Sequence, residues 1–258
     1  MAQGFLVTLL FHKFGPPRYR GDPYSLSASW LRDVIQLSVE SSCRFVDWDA
    51  LAAGRFEVDE RLVSLTFDDG FDSDITKVVP LLQEASVPAT FFLVPSFVGQ
   101  AGHLSWDQVG QLVDAGMCVG SHTMSHAWLP GLSTVEIEEE LESSRQAIEQ
   151  HIGAPVRSFS LPGGFYDRRV LNLAGRAGYA LVGTTDYGVD PLDARPAQGP
   201  WILKRNSMDL RTSWDAVRGL LNGSVPLRLR IKSWRKYWLV RLIGPTKYRR
   251  LSSARRQG

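Results

Sequence analysis

The chain has 258 residues, of which 44% are hydrophobic, 22% charged and 10% aromatic, a globular composition that excludes disordered, collagen-like and coiled-coil classes. Its net charge of +2 hides a split, because residues 226–258 hold eight Arg, three Lys and no acidic residue, which leaves the rest at −9. No run approaches the roughly 18 consecutive apolar residues of a membrane-spanning helix.

In chain order, Phe5–Phe11 is short, apolar and β-rich, and reads as a buried strand running into His12. Residues 13–24, with three prolines and two glycines, read as a loop. A helix starts at Ser27 or Ser29 and carries Trp30, Leu31, Val34, Ile35 and Leu37 on one face. The next strand, 61–67, ends in Asp68-Asp69-Gly70, and helical periodicity returns over 76–84. A strand over 89–94 precedes a helix capped at Ser105 and stopped by Gly116. A short strand, 117–119, leads into Gly120-Ser121-His122. Ser133 and Glu136 form a capping-box pair that opens a long helix ending near His151 and Gly153. Strands over 158–161, 180–184 and 201–204 and a helix over 168–177 follow.

Strands alternating with helices predict an α/β fold with a parallel sheet. No strand is followed by a glycine-rich phosphate fingerprint, since Gly163-Gly164 lacks a third glycine. Polar chemistry instead follows the strands, where α/β barrels place their sites. The expectation is a distorted (β/α) barrel over 1–225 and a basic, amphipathic tail over 226–258.

Four polar clusters close apolar strands: His12, Asp68-Asp69, His122 with His126, and Pro162-Gly163-Gly164. His122 and His126 are four apart, so a helical turn would place both rings on one face to grip an ion; the spacing alone fits structural histidines equally well. Asp68-Asp69 tilts the balance, because adjacent carboxylates after a buried strand are costly unless paired or bound to a cation. Two imidazoles and one carboxylate make a three-ligand set with a position left for water.

These residues carry a resemblance. Thr66-Phe67-Asp68-Asp69-Gly70, His122-Thr123-Met124-Ser125-His126 and the turn from Phe159 through Pro162-Gly163-Gly164 to Asp167 resemble the motifs of the polysaccharide deacetylase family, also called the NodB-homology or carbohydrate esterase family 4 group. The similarity runs roughly over 5–208. It implies Asp68 as general base, Asp69, His122 and His126 as ligands of a divalent metal (zinc by donor type), and Pro162, Gly163 and Phe165 as the oxyanion and substrate turn. Two departures stand out. The family often has an Arg in the third motif that orients the base, where this chain has Ser160, and Arg157 lies at the wrong spacing. The family's late L-x-H motif is also missing, whereas Leu10-Phe11-His12 stands at the start. Some family members are similar to circular permutations with this strand first, so the resemblance implies His12 as the general acid.

Trp106, Trp128, Phe165 and Tyr166 flank the motifs and read either as packing or as a stacking surface for a sugar. The implied function is metal-dependent deacylation of an N-acylated amino sugar, in a polysaccharide or a lipid-linked saccharide; a carbohydrate-binding pseudoenzyme is the competing reading. The tail interleaves Arg and Lys with Trp234, Tyr237, Trp238, Leu239, Leu242 and Ile243, which reads either as contact with an anionic membrane surface or as a terminal helix that covers the barrel. It has no zinc-knuckle or RNP-type pattern, so nucleic acid is not an expected partner. The N-terminus has no basic n-region or small-residue cleavage site, and Cys43 and Cys118 are too few for a disulfide framework. The expected location is the cytoplasm, at the inner face of the membrane if the tail engages it.

Overall fold

The computed structural model describes residues 4–17, 22–231, 238, 239, 242 and 244. β1 (Phe5–Phe11) is followed by the short β2 (Lys13–Phe14) and β3 (Ser25–Leu26), then α1 (Ala28–Glu40), β4 (Arg44–Phe45), α2 (Trp48–Ala52) and β5 (Arg61–Asp68). Next come α3 (Val79–Glu84), β6 (Ala89–Leu93), α4 (Trp106–Asp114), β7 (Cys118–Ser121), α5 (Thr134–Ile152) and β8 (Ser158–Ser160). The sequence of elements continues with α6 (Arg168–Arg176), β9 (Leu181–Gly183), β10 (Asp190–Pro191), β11 (Trp201–Leu203), β12 (Asn206–Ser207) and α7 (Trp214–Leu221).

The main sheet has the order β10-β1-β5-β6-β7-β8-β9-β11, parallel except where β10 meets β1. β11 pairs with β9, and after Lys204 and Arg205 the same extended segment pairs as β12 with β1. This one segment bridges the two ends of the sheet and nearly closes the expected barrel.

Side chains alternate across each strand with a period of two, and here the two sets have different tasks. Val7, Leu9 and Phe11, with Val63, Leu65 and Phe67, join the core shared with the surrounding helices. Phe67 stacks between Phe11 at 5.3 Å and Phe91 at 4.7 Å, tying the register of β1, β5 and β6. The other set, including Leu6, Leu62, Phe92, Cys118, Leu181 and Leu203, packs round Trp48 and Leu51 of α2. A fully buried leucine such as Leu51 contributes about 2 kcal/mol. Continued to the strand ends, this inner set contains His12, Asp68, His122, Ser160 and Arg205.

The helix signals act as read. Ser27 caps α1, and capping boxes at Ser105/Gln108 and Ser133/Glu136 open α4 and α5. The expected helix over 76–84 instead begins as a π-turn, Asp74–Val78, before α3, because Pro80 has no N–H for a regular α-turn. The strand expected over 117–119 runs further, to Ser121. Gly120 is a point of close approach rather than a stop: a Cβ there would lie 2.5 Å from the Phe92 ring. The expected loop 13–24 includes β2, and α2 and α7 are additions, capped by Asp47 and Ser213. Cys43 and Cys118 are free and buried. Most of the tail, with Trp234, Tyr237 and Ile243, lies outside the described residues. Among those described, no helix is long and apolar enough to cross a membrane.

Candidate active site

β5 delivers Asp68 inward, 2% exposed, and the next residue turns away: Asp69 has φ 79°. Aspartate tolerates this left-handed region better than most residues, so adjacent carboxylates point to different tasks. β7 delivers His122, also 2% exposed. The His122 Nδ1–H donates to the Ser160 carbonyl at 2.8 Å, since a carbonyl can only accept, which leaves Nε2 facing the carboxylates. Burial first, and then the neighbouring His126, push the His122 pKa down to about 4 against the pull of Asp68 and Asp69, so the ring is neutral at neutral pH.

His126 reaches the same place by a route other than the expected helical turn. The segment after β7 is a loop in which Thr123 (φ 65°) and His126 (φ 60°) are left-handed. The two reversals bring the rings to 4.9 Å. Asp69 Oδ1 lies 3.7 Å from His122 Nε2 and 3.6 Å from His126 Nε2. One donor atom from each of Asp69, His122 and His126 lies within 4.8 Å of the others. Asp69 Oδ1 is buried with no hydrogen-bond partner, and an orphaned acceptor between two ring nitrogens fits a cation. The residues present therefore suit a divalent metal ion.

Asp68 is held differently, and its partner is the residue that the sequence reading missed. Arg205, 0% exposed, donates through Nη1 to Oδ1 at 2.7 Å and through Nη2 to Oδ2 at 2.9 Å. The same guanidinium donates to Ser160 Oγ at 2.5 Å and to the Thr184 carbonyl at 3.0 Å, and the Ser160 hydroxyl donates to Asp68 Oδ2 at 3.1 Å. Burial alone would raise the Asp68 pKa, but Arg205 above all, with His122 and His12, holds it well below the usual carboxylate range. The arginine absent from the third motif thus arrives from the barrel-closing segment, and Ser160 gives it room. The alternation of Trp201, Leu203 and Arg205 was the available signal, obscured because the strand was expected to stop at Lys204.

β1 pairs with β5 as far as Phe11 opposite Phe67, so His12 emerges on the strand beside Asp68. It is outside the ligand cluster, and its ring lies 4.9 Å from that of Tyr24. Pro162–Gly164 forms a tight turn after β8, with Gly163 at φ 65° and Gly164 at φ 69°. A Cβ on Gly164 would fall 2.2 Å from Thr185 Oγ1, so only glycine fits. Phe165 packs on Trp128 with ring centres 4.4 Å apart, and Tyr166 is 40% exposed nearby in sequence. Trp106 instead stacks on His151 between α4 and α5, a packing contact. His103 lies in a loop against Phe71.

The sequence model of the polysaccharide deacetylase family matches residues 56–182. The chain is 31% identical over 135 residues to the peptidoglycan-N-acetylglucosamine deacetylase of Bacillus cereus, covering 52% of this chain and 61% of that protein. It is 34% identical over 139 residues to the chitooligosaccharide deacetylase of a Bradyrhizobium species, covering 53% and 60%. The chain thus spans about three fifths of the length of these relatives. Among solved structures, IcaB from Ammonifex degensii aligns with a TM-score of 0.71 and 26% identity, over 84% of this chain and 95% of that one. Residues 56–182, with Asp68, Asp69, His122 and His126 among them, thus carry a polysaccharide deacetylase domain, on a fold shared with IcaB.

Proposed function

We propose that the protein is a metal-dependent carbohydrate N-deacetylase, hydrolysing the N-acyl amide of an amino sugar. The observation that carries this reading is the pairing of an Asp69–His122–His126 cluster with a separate, arginine-held carboxylate at one end of the barrel. Asp69, His122 and His126 would hold a divalent ion, zinc on our reading, which would supply Lewis acidity for the amide carbonyl and the attacking water. Asp68, ionised and fixed, takes the water's proton as oxygen adds to the carbonyl carbon. The Gly163 N–H, on the turn with Pro162, holds the oxyanion. His12 gives a proton to the departing nitrogen as the C–N bond breaks, releasing acetate and a free amine. Trp128 and Phe165 offer the sugar an apolar face.

The test is acetate release from chitooligosaccharides and from lipid-linked N-acetyl sugars, read beside metal content. We expect about one divalent ion per chain, lost in the His122→Ala/His126→Ala double variant. His12→Ala should keep the ion while activity collapses and the alkaline limb of the pH–rate profile shifts. Full metal occupancy in the double variant, or unchanged turnover in His12→Ala, would falsify the corresponding assignment.

A lipid-linked substrate at the inner, cytoplasmic face of a membrane is the second half of the proposal. It is supported by the exposed Leu227, Ile231, Trp238, Leu239 and Leu242 within the basic segment 226–258. Each basic residue near an anionic surface contributes about 1 kcal/mol. Removing 226–258 should therefore abolish salt-sensitive co-sedimentation with phosphatidylserine vesicles and leave the metal in place. Equal co-sedimentation of the full and shortened chains would end the membrane reading.

A further inference from the structure

We propose that Glu140, which belongs to neither the ligand set nor the reacting groups, is a positioning residue that sets where His126 stands in the metal site. The proposal rests on the metal-site reading above.

The two histidine ligands are secured unequally. His122 is buried, its ring N–H is taken by the Ser160 carbonyl, and its backbone N–H donates to the Leu93 carbonyl at 2.7 Å. His126 has a side chain 38% exposed and no ring hydrogen bond among the described residues; its ring meets Phe97 at 6.0 Å and His122 at 4.9 Å. A metal-bound imidazole ordinarily has its other nitrogen oriented by a hydrogen bond. Here the backbone must place the ring instead.

That backbone is gripped from α5. The Ser125 N–H donates to Glu140 Oε2 at 2.9 Å and the Ser125 hydroxyl donates to Oε1 at 2.5 Å. The preceding Met124 N–H donates to the Glu140 main-chain carbonyl at 3.2 Å, while the Met124 carbonyl accepts from Ser96 N–H at 3.0 Å. Glu140 thus takes three donors from the two residues just before His126, between the left-handed Thr123 and the left-handed His126. Its own position is fixed: α5 opens with a capping box, buries Ile137 and Leu141, and meets β7 through Ser144 Oγ and Ser121 Oγ at 2.8 Å. A carboxylate with two acceptor oxygens suits this task, because one oxygen binds the N–H and the other the hydroxyl.

A contact that only fastened α5 to a loop would change stability and leave ion binding alone. The deciding measurement is therefore Zn²⁺ affinity of the metal-stripped protein, by competition with a chromophoric chelator, with melting temperature measured on the same samples. Glu140→Ala should weaken Zn²⁺ binding about 10- to 100-fold, the range for residues that orient metal ligands. Glu140→Gln should stay within about threefold, since its amide can accept the N–H and donate to a reversed hydroxyl. Ser125→Ala, which removes one contact and leaves the helix untouched, should fall between them and decides the matter if Glu140→Ala does not fold. Glu138→Ala, on the same helix as Glu140, removes an ion pair to Arg176 of α6 and should leave affinity unchanged. Wild-type affinity in both Glu140→Ala and Ser125→Ala overturns this proposal alone, whereas failure of the wild-type protein to bind Zn²⁺ overturns the metal-site reading with it.

Discussion

Asp68→Asn should lose about 10²- to 10⁴-fold in kcat/KM while retaining its metal ion, the range expected for removal of a general base. The amide is nearly the same shape, and its oxygen can still accept from Arg205, so the barrel should stay closed. What disappears is the basic oxygen, since an amide does not take a proton from water near neutral pH. Asp69→Asn provides the contrast. Asp69 Oδ1 is the buried acceptor that faces both imidazole nitrogens, so its neutralisation should strip the ion first and the activity with it. Metal analysis of the two variants separates the roles. Loss of metal in Asp68→Asn with retention in Asp69→Asn would exchange them.

Arg205→Ala should be the most damaging single substitution in the domain. It leaves Asp68 charged, buried and without its bidentate partner, and breaking a buried pair in this way costs about 3–5 kcal/mol. Against a total stability of about 5–15 kcal/mol, that approaches unfolding. Arg205→Lys keeps the charge but cannot span both Asp68 oxygens, Ser160 Oγ and the Thr184 carbonyl at once. It should therefore fold and lose activity. In Asp68→Asn/Arg205→Ala the uncompensated charge is gone, and part of the lost stability should return. Urea unfolding of the three variants reads the stabilities, and acetate release reads the Lys variant. Wild-type activity in Arg205→Lys would remove the guanidinium from any role in placing the base.

The parts of the fold set by local signals were readable in the sequence. Strand periodicity, the capping residues Ser105 and Ser133 and the stop at Gly153 are decided within a few residues. So was the gathering of Asp69, His122 and His126, because all three lie in compact motifs. What escaped was decided by pairing across the sheet. Arg205 follows a three-residue strand, and its partner is 137 residues away, so nothing local distinguishes it from a surface arginine. The histidine loop was read as helical because spacing alone cannot reveal that Thr123 and His126 adopt left-handed φ. Trp106 shows the converse limit: proximity in sequence to a motif did not bring it to the site.

The segment that shuts the barrel also sets when the site can come into being. The side chain of Asn206 donates to the Thr8 carbonyl, 198 residues earlier in the chain, so the seam closes almost the longest loop that the domain contains. Contacts of such separation carry the greatest loop-closure entropy and slow folding most. The loops that carry Asp69, His122 and His126 hang on β5 and β7, which join through β6 and need no seam. The grip on Asp68 forms only when Arg205 is drawn inside by pairing on both sides of it. The Asp69–His122–His126 cluster can thus assemble while Asp68 is still without its partner, and the complete site arrives with the last long-range pairing rather than with the first burial of the core.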